Sequence, residues 1–258
     1  PKPIIKISSQ IGCPAHCKFC DLGDAPFRRN LLPHELLQQF QYMYELSSEL
    51  GIRIGNKQHK VNVAGSGEPL LNKHLVDGLK LIAEYEPSFK VCTVAPKSKA
   101  TIENFKRLAE FGGSYAHPIQ IQISLISTSQ LHREQSVGMP LLVLDQISAL
   151  GKLWRAANPV RSQINLSLIL AADTPVDVAE IVKLLPPEHY RFRFRPYIPT
   201  NHGRQNALRQ ISNDQMEEVK AAFRAEGYYV GEEATPTATE QTFELASNVS
   251  RKRVDQGQ

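Results

Sequence analysis

No run of about eighteen apolar residues occurs in the 258-residue chain, which excludes a membrane-spanning helix on hydropathy. Charge of one sign is also scarce. The 30 Lys and Arg against 26 Asp and Glu leave a formal +4, which permits an RNA or phosphorylated partner and demands neither. The one dense basic run, Arg251 to Arg253, reads as a solvated tail or a contact for an anionic partner. Residues 1–8, PKPIIKIS, lack the charged-then-apolar plan of a secretory leader. A Ser–His–Asp arrangement and a Walker loop are both missing, which removes the hydrolase and nucleoside-triphosphatase readings. No internal repeat or linker divides the chain, and 41% hydrophobic residues against 22% charged suffice for a sizeable core.

Cysteine is scarce too, four in all, yet three fall close together as Cys13, Cys17 and Cys20 in IGCPAHCKFCDLG. A disulfide framework explains this poorly, because clustered thiols in odd number cannot all pair and a chain this long needs no staples. Zinc needs a fourth ligand, for which Cys92 or His16 is available. A [4Fe–4S] cluster on three thiolates leaves one iron open. Gaps of three and then two residues, with Phe19 just before the last cysteine, resemble the signature of radical S-adenosylmethionine (SAM) enzymes. The resemblance implies that SAM chelates the open iron and is cleaved by one electron to a 5′-deoxyadenosyl radical, which abstracts substrate hydrogen. It also implies an electron donor such as flavodoxin or ferredoxin, and the oxygen lability of the cluster implies a cytoplasmic setting. Phe19 is then expected over the cluster, near the adenine. The absence of a second cysteine cluster removes maturases with auxiliary clusters. Cys92, in FKVCTVAP, reads as a small residue of an alternating strand, buried in the core.

Strand and helix patterns alternate along the chain. Short β patterns at residues 4–9, 59–65, 89–95, 119–126, 164–170 and 191–196 are separated by helical spacing at 33–50, 75–85, 99–111, 141–157, 176–185 and 213–226. Pro33 and Gly51 bound the first helix, and Gly112–Gly113 stops the third. Six strand–helix units in succession predict an α/β fold, a partial (β/α)6 barrel with mostly parallel strands, which is also the radical SAM architecture. Residues 1–226 are expected to form this core, and 227–258, polar and aperiodic, a loop or docked tail.

Several segments narrow the resemblance: the cysteine loop, then Arg29–Asn30, VNVAGSGEPLLN, ISLISTS and RPYIPT, in that order. Together they are similar to the radical SAM branch that methylates RNA adenine at C2 or C8. Within that likeness Gly65, Gly67, Glu68 and Pro69 hold SAM, with Glu68 accepting from its amino group, and Ser124 lies near its ribose. Those enzymes relay the methyl group through two cysteines. Here the position seven residues before the cysteine motif is Lys6, and the nearest counterpart of the methyl-carrying position is Gln256. Neither side chain can replace a thiol, and Ile198 stands where the family has an asparagine near SAM. The expectation is therefore radical chemistry without the methyl relay.

RFRFRP places Arg191, Arg193 and Arg195 on one face of the last strand and Phe192 and Phe194 on the other. If the guanidiniums face the lumen, Arg193 and Arg195 form a site for a small anionic or nucleotide-like substrate; outward, they need the freedom of a sheet edge. Lys6 adds a charge or a donor, and Tyr197 or His202 a proton or hydrogen source. His132 and Arg133 follow the fourth strand, where substrate contacts are possible. RNA stays as an alternative substrate, and a cluster-bearing sensor as a third reading.

Overall fold

The computed structural model describes residues 4–49, 59–161 and 163–231. Seven strands form one sheet: β1 (Ile4–Ile7), β4 (Lys60–Val63), β5 (Ser88–Thr93), β6 (Ile119–Ser124), β7 (Ile164–Leu170), β8 (Tyr190–Pro196) and β9 (Val230–Gly231), neighbours in that order. Every pairing in it is parallel. Parallel neighbours require crossovers, and these are the helices α1 (Pro33–Glu49), α2 (Leu75–Ile82), α3 (Lys99–Ser114), α5 (Leu144–Ala157), α6 (Val178–Leu184) and α8 (Asn213–Ala225). The expected partial barrel of six strand–helix units is the observed frame. Leu50 and Gly51, where the first helix was expected to end, lie outside the described residues, as do Arg251 to Arg253 and Gln256.

The alternation within each strand sorts the side chains into two layers. Ile5, Ile7, Val61, Val63, Phe89, Val91, Ile121, Ile123, Leu166 and Leu168 all join the main core, together with the inner faces of the helices. The intervening positions face the other way, into the lumen, and are polar: Lys6, Asn62, Lys90, Gln122, Asn165 and Ser167. Phe192 and Phe194 pack with Phe223 of α8, ring centroids 4.4 and 5.0 Å apart. The arginine face of β8 therefore looks into the lumen.

Several local expectations need correction. α3 runs through Gly112–Gly113 to Ser114, because the end of α5 packs closely against those glycines. A Cβ on Gly113 would lie 2.5 Å from the Ala157 carbonyl oxygen. The stretch before α5 carries a separate helix, α4 (Gln130–Val137), capped by Ser129 and ended by Gly138 at φ +70°. A short helix α7 (Asn201–Gln205) follows β8. The described part of the expected tail adds strand β9 beside β8, so the sheet continues past residue 226 and β8 is not its outer strand. Cys92 is absent from both apolar cores. It is half-buried on the lumenal face, because its strand alternates with Val91 and Thr93 turned outward.

Candidate active site

A loop from Gly12 to Arg28 is pinched at its base by β2 (Gln10–Ile11) and β3 (Arg29–Asn30), which pair antiparallel. Gly12 sits at φ +73°, where a Cβ would strike the Pro26 carbonyl, so only glycine closes this pinch. Inside, Cys13 N–H donates to Ala25 O, Cys20 N–H to Cys17 O and Gly23 N–H to Cys20 O. Cys17 is buried, and Cys13 and Cys20 are half-buried. They share an apolar pocket with Ala15, Val94, Ile126, Val137, Leu141 and Phe19. Two neighbours brace the loop. Lys18 N–H donates to Ser136 O of α4, and the Asp21 carboxylate accepts from Asn201 N–H and His202 N–H at the start of α7.

Burial pushes all three thiols up, Cys13 to about 11, and each is raised further by a neighbouring acid or thiolate. Three thiolates are tenable in such a pocket only beside a strongly cationic centre. Among the described residues no three His, Cys, Asp or Glu side chains converge on a single ion. His16 is exposed, with its ring nitrogen on Gly23 O at 2.8 Å, and Cys92 belongs to β5. Zinc therefore lacks its fourth ligand, whereas a cluster that offers a separate iron to each thiolate suits this donor set. Cys13, Cys17 and Cys20 are the residues that would hold it.

The segment after β4 is tied to this loop. Ser9 N–H and Gln10 N–H donate to Ser66 O, Gly65 N–H to Ile7 O, and Glu68 N–H to Gln10 Oε1. Gly67 has φ +102°, and a Cβ there would meet Gln10 Cβ at 2.5 Å. Glu68 is 3% exposed, and its carboxylate accepts from Leu70 N–H, Thr93 Oγ1 and Val94 N–H. Burial raises it to about 7. Three donors leave one lone-pair direction for a further cation such as an ammonium. Pro69 opens the short 3₁₀ turn behind it.

The other expected residues are spread along the lumen. Ser124 ends β6, half-buried, opposite Ser167 of β7. Lys6 is half-buried near Cys20 and Cys92, whose charges raise its pKa against the larger lowering by burial. Arg193 is half-buried and Arg195 exposed. Tyr197 is 1% exposed, and its hydroxyl accepts Thr200 N–H at 3.1 Å, at the start of α7. It lines a small cavity with Phe19 and His132. Arg133 is wholly buried and donates to Leu125 O, Leu142 O and Gln130 Oε1, so it fastens α4. Gln10, Asn72 and Thr93 carry much of this geometry, and isolated polar residues of this kind have no spacing signal in the sequence. Asn72, wholly buried, donates to both Ser9 O and Leu31 O.

Residues 7–138, more than half of the chain, match the radical SAM superfamily. The chain belongs to the radical SAM superfamily. It is accordingly an enzyme, of a family that uses a [4Fe–4S] cluster on three cysteines together with SAM. The probable dual-specificity RNA methyltransferase RlmN of Chlorobaculum tepidum is 31% identical over 188 residues, covering 69% of this chain and 47% of that protein. A second RlmN, from Protochlamydia amoebophila, is 29% identical over 204 residues, covering 75% and 53%. This radical SAM chain thus spans about half the length of the curated relatives it matches. A radical SAM methyltransferase from Sphaerobacter thermophilus superposes with a TM-score of 0.69 at 18% identity, over 88% of this chain and 65% of that one, a likeness of fold. No described helix is long and apolar enough to cross a membrane.

Proposed function

We propose that this radical SAM enzyme abstracts hydrogen from a small anionic or nucleotide-like substrate in the lumen and performs no cysteine-relayed methyl transfer. The observation that carries this reading is the cationic lumenal face. Lys6, Arg193 and Arg195 share it, and position 6, where the methylating relatives are expected to have a thiol, is a lysine. When bound, the cluster and SAM supply reductive cleavage of SAM to a 5′-deoxyadenosyl radical.

The chain's own residues supply placement. Cys13, Cys17 and Cys20 would hold the cluster, with Phe19 beside it in the same apolar pocket. Gly65 and Gly67 would let the protein backbone approach SAM closely, Glu68 would accept from its amino group with Pro69 stiffening the turn behind, and Ser124 would lie near its ribose. Arg193 and Arg195 orient the substrate anion, and Lys6 lies between that anion and the cysteine loop as a donor. Tyr197, engaged by Thr200 N–H, acts as a positioning residue that seats α7 against the loop. A low-potential donor such as flavodoxin or ferredoxin supplies the electron.

The test is anaerobic cluster reconstitution with SAM and a strong one-electron reductant, followed by chromatography of the products. 5′-Deoxyadenosine without S-adenosylhomocysteine is the expected outcome. Appreciable S-adenosylhomocysteine would overturn the loss of methyl transfer. The second reading, RNA as substrate, draws on the RNA methyltransferase relatives and predicts RNA affinity that falls steeply with salt.

A further inference from the structure

Lys90 is the charged side chain that the cysteine loop and the arginine strand leave unexplained. It sits at the third position of β5, facing the lumen, and is only 7% exposed. Among the described residues neither Lys90, Lys6 nor Arg193 takes part in an ion pair. An ammonium buried without an anion is costly, so such a site either sheds its proton or recruits an anion. The register places Lys6, Asn62, Lys90 and Gln120 side by side across β1, β4, β5 and β6. Lys60, one step deeper, donates to Gln120 Oε1 at 3.0 Å.

The sheet also curls enough for β8 to bear on this row. Burial lowers Lys90 to about 8, and Arg195, Arg193 and Lys60 push it the same way, against the opposing pull of Cys92. Arg195 acts on Lys6 in the same way, so Lys6, Lys90, Arg193 and Arg195 are electrostatically coupled across the lumenal face. The nearby acid, Glu68, is already held by three protein donors. Beside the cations stand two buried acceptors with no hydrogen-bond partner, Asn62 Oδ1 and Gln122 Oε1. Gln122 is 5% exposed and pairs in register with Cys92, one pleat repeat beyond Lys90. Both oxygens call for donors from a guest.

A monocarboxylate brings one charge to Lys6, Lys90 and Arg193, the lumenal cations in no ion pair among the described residues, and nothing to the two acceptors. A phosphomonoester brings close to two charges and three acceptor oxygens, and a sugar attached to it brings hydroxyl donors. We propose that the lumen floor binds the phosphate of a phosphomonoester, with Lys90 as its central cation and Asn62 and Gln122 accepting from hydroxyl or amino groups on the same ligand. This rests on the lumenal-substrate reading above and narrows its class. It also sets the orientation: phosphate deep against β1, β4 and β5, and the organic part towards the cysteine loop at the strands' C-terminal ends.

The test is calorimetric titration of the cluster-loaded protein, under anaerobic conditions, with ribose 5-phosphate, inorganic phosphate and ribose. Both phosphate probes are expected to bind, ribose 5-phosphate the more tightly, and ribose not measurably. Lys90→Met should weaken both phosphate probes at least tenfold, and Lys90→Arg should stay within threefold of wild type. Gln122→Leu should erase the advantage of ribose 5-phosphate and leave inorganic phosphate unchanged. If Lys90→Met fails to fold, the wild-type protein still decides. Ribose 5-phosphate, and not ribose, should then protect Lys90 from acetylation, read by mass spectrometry. Wild-type affinity in Lys90→Met, ribose 5-phosphate binding no tighter than ribose, or no protection of Lys90 would overturn the proposal. Formation of 5′-deoxyadenosine, measured in parallel, separates the two readings. Its absence refutes the radical reading, whereas SAM cleavage without phosphate binding refutes this one alone.

Discussion

Gly67 shows how one residue couples backbone strain to the segment proposed to hold SAM. At φ +102° an alanine is strained, and its Cβ would press on Gln10, whose side chain holds Glu68 N–H. Gly67→Ala is expected to cost about 1–3 kcal/mol and to weaken SAM retention, measured by thermal melting and by equilibrium dialysis. Lys90 carries a pH signature whose sign follows from its lowered pKa. The folded protein releases the proton near 8, while the unfolded chain keeps it to the ordinary lysine value of 10.5. Between those values the unfolded state binds more protons, so this contribution to stability rises with pH; it is fully present above the unfolded value and is lost as pH falls through about 8. The full difference is about 3 kcal/mol. The groups facing Lys90 are Cys92 on its own strand, Lys60 on β4, Lys6 in the same register row on β1, and Arg193 and Arg195 on β8. Lys90→Met should abolish this slope, so denaturant midpoints of the two proteins should diverge between pH 8 and 10.5 with the phosphate-free wild type gaining. Phosphate affinity should fall over the same range as the amine neutralises.

At the scale of elements, α4 and α8 do different work. Arg133 joins α4 to the end of β6 and to the segment before α5 through Leu125 O and Leu142 O, and also donates to Gln130 Oε1 of its own helix. Arg133→Ala would strand those buried oxygens at about 1–3 kcal/mol each. A lowered urea midpoint is expected, together with reduced iron per chain, because α4 braces Lys18 of the cysteine loop. A normal iron content in a destabilised variant would show that α4 stabilises the fold without shaping the loop. Phe223 of α8 seals β8, its ring 4.4 Å from Phe192 and 5.6 Å from Tyr228. Phe223→Ala should cost about 3–5 kcal/mol. Because it loosens the strand that carries Arg193 and Arg195, substrate affinity should suffer more than SAM cleavage.

Over the whole molecule, the sheet with its helices and the cysteine loop are separable. The main core contains no cysteine of the loop, and the loop has a small apolar pocket of its own. Cys17→Ala is therefore expected to abolish iron loading and the visible absorbance of the cluster while far-ultraviolet circular dichroism stays near wild type. Loss of the sheet signal in that variant would show that the cluster stabilises the entire fold. In the loaded wild type, chelating the iron should lower the melting temperature, since whatever binds only the native state stabilises it.

The frame of six strand–helix units was legible in the residues because alternation and helical spacing are local patterns, set by which faces must be dry. The cysteine loop was legible for the same reason: its three thiols lie within one short segment, and their spacing is itself a local pattern. Gly112–Gly113 misled because a glycine pair weakens an isolated helix, whereas α3 packs too close to Ala157 to carry larger side chains. Cys92 misled because alternation tells which residues share a face and not which face is wet. Asn72, Thr93, Gln10 and Lys90 become informative only when strands distant in sequence stand side by side. Local chemistry thus lay in the sequence by itself; the electrostatic coupling of Lys6, Lys90, Arg193 and Arg195 was decided by the tertiary structure, because charges add in space and β1, β5 and β8 are far apart in sequence.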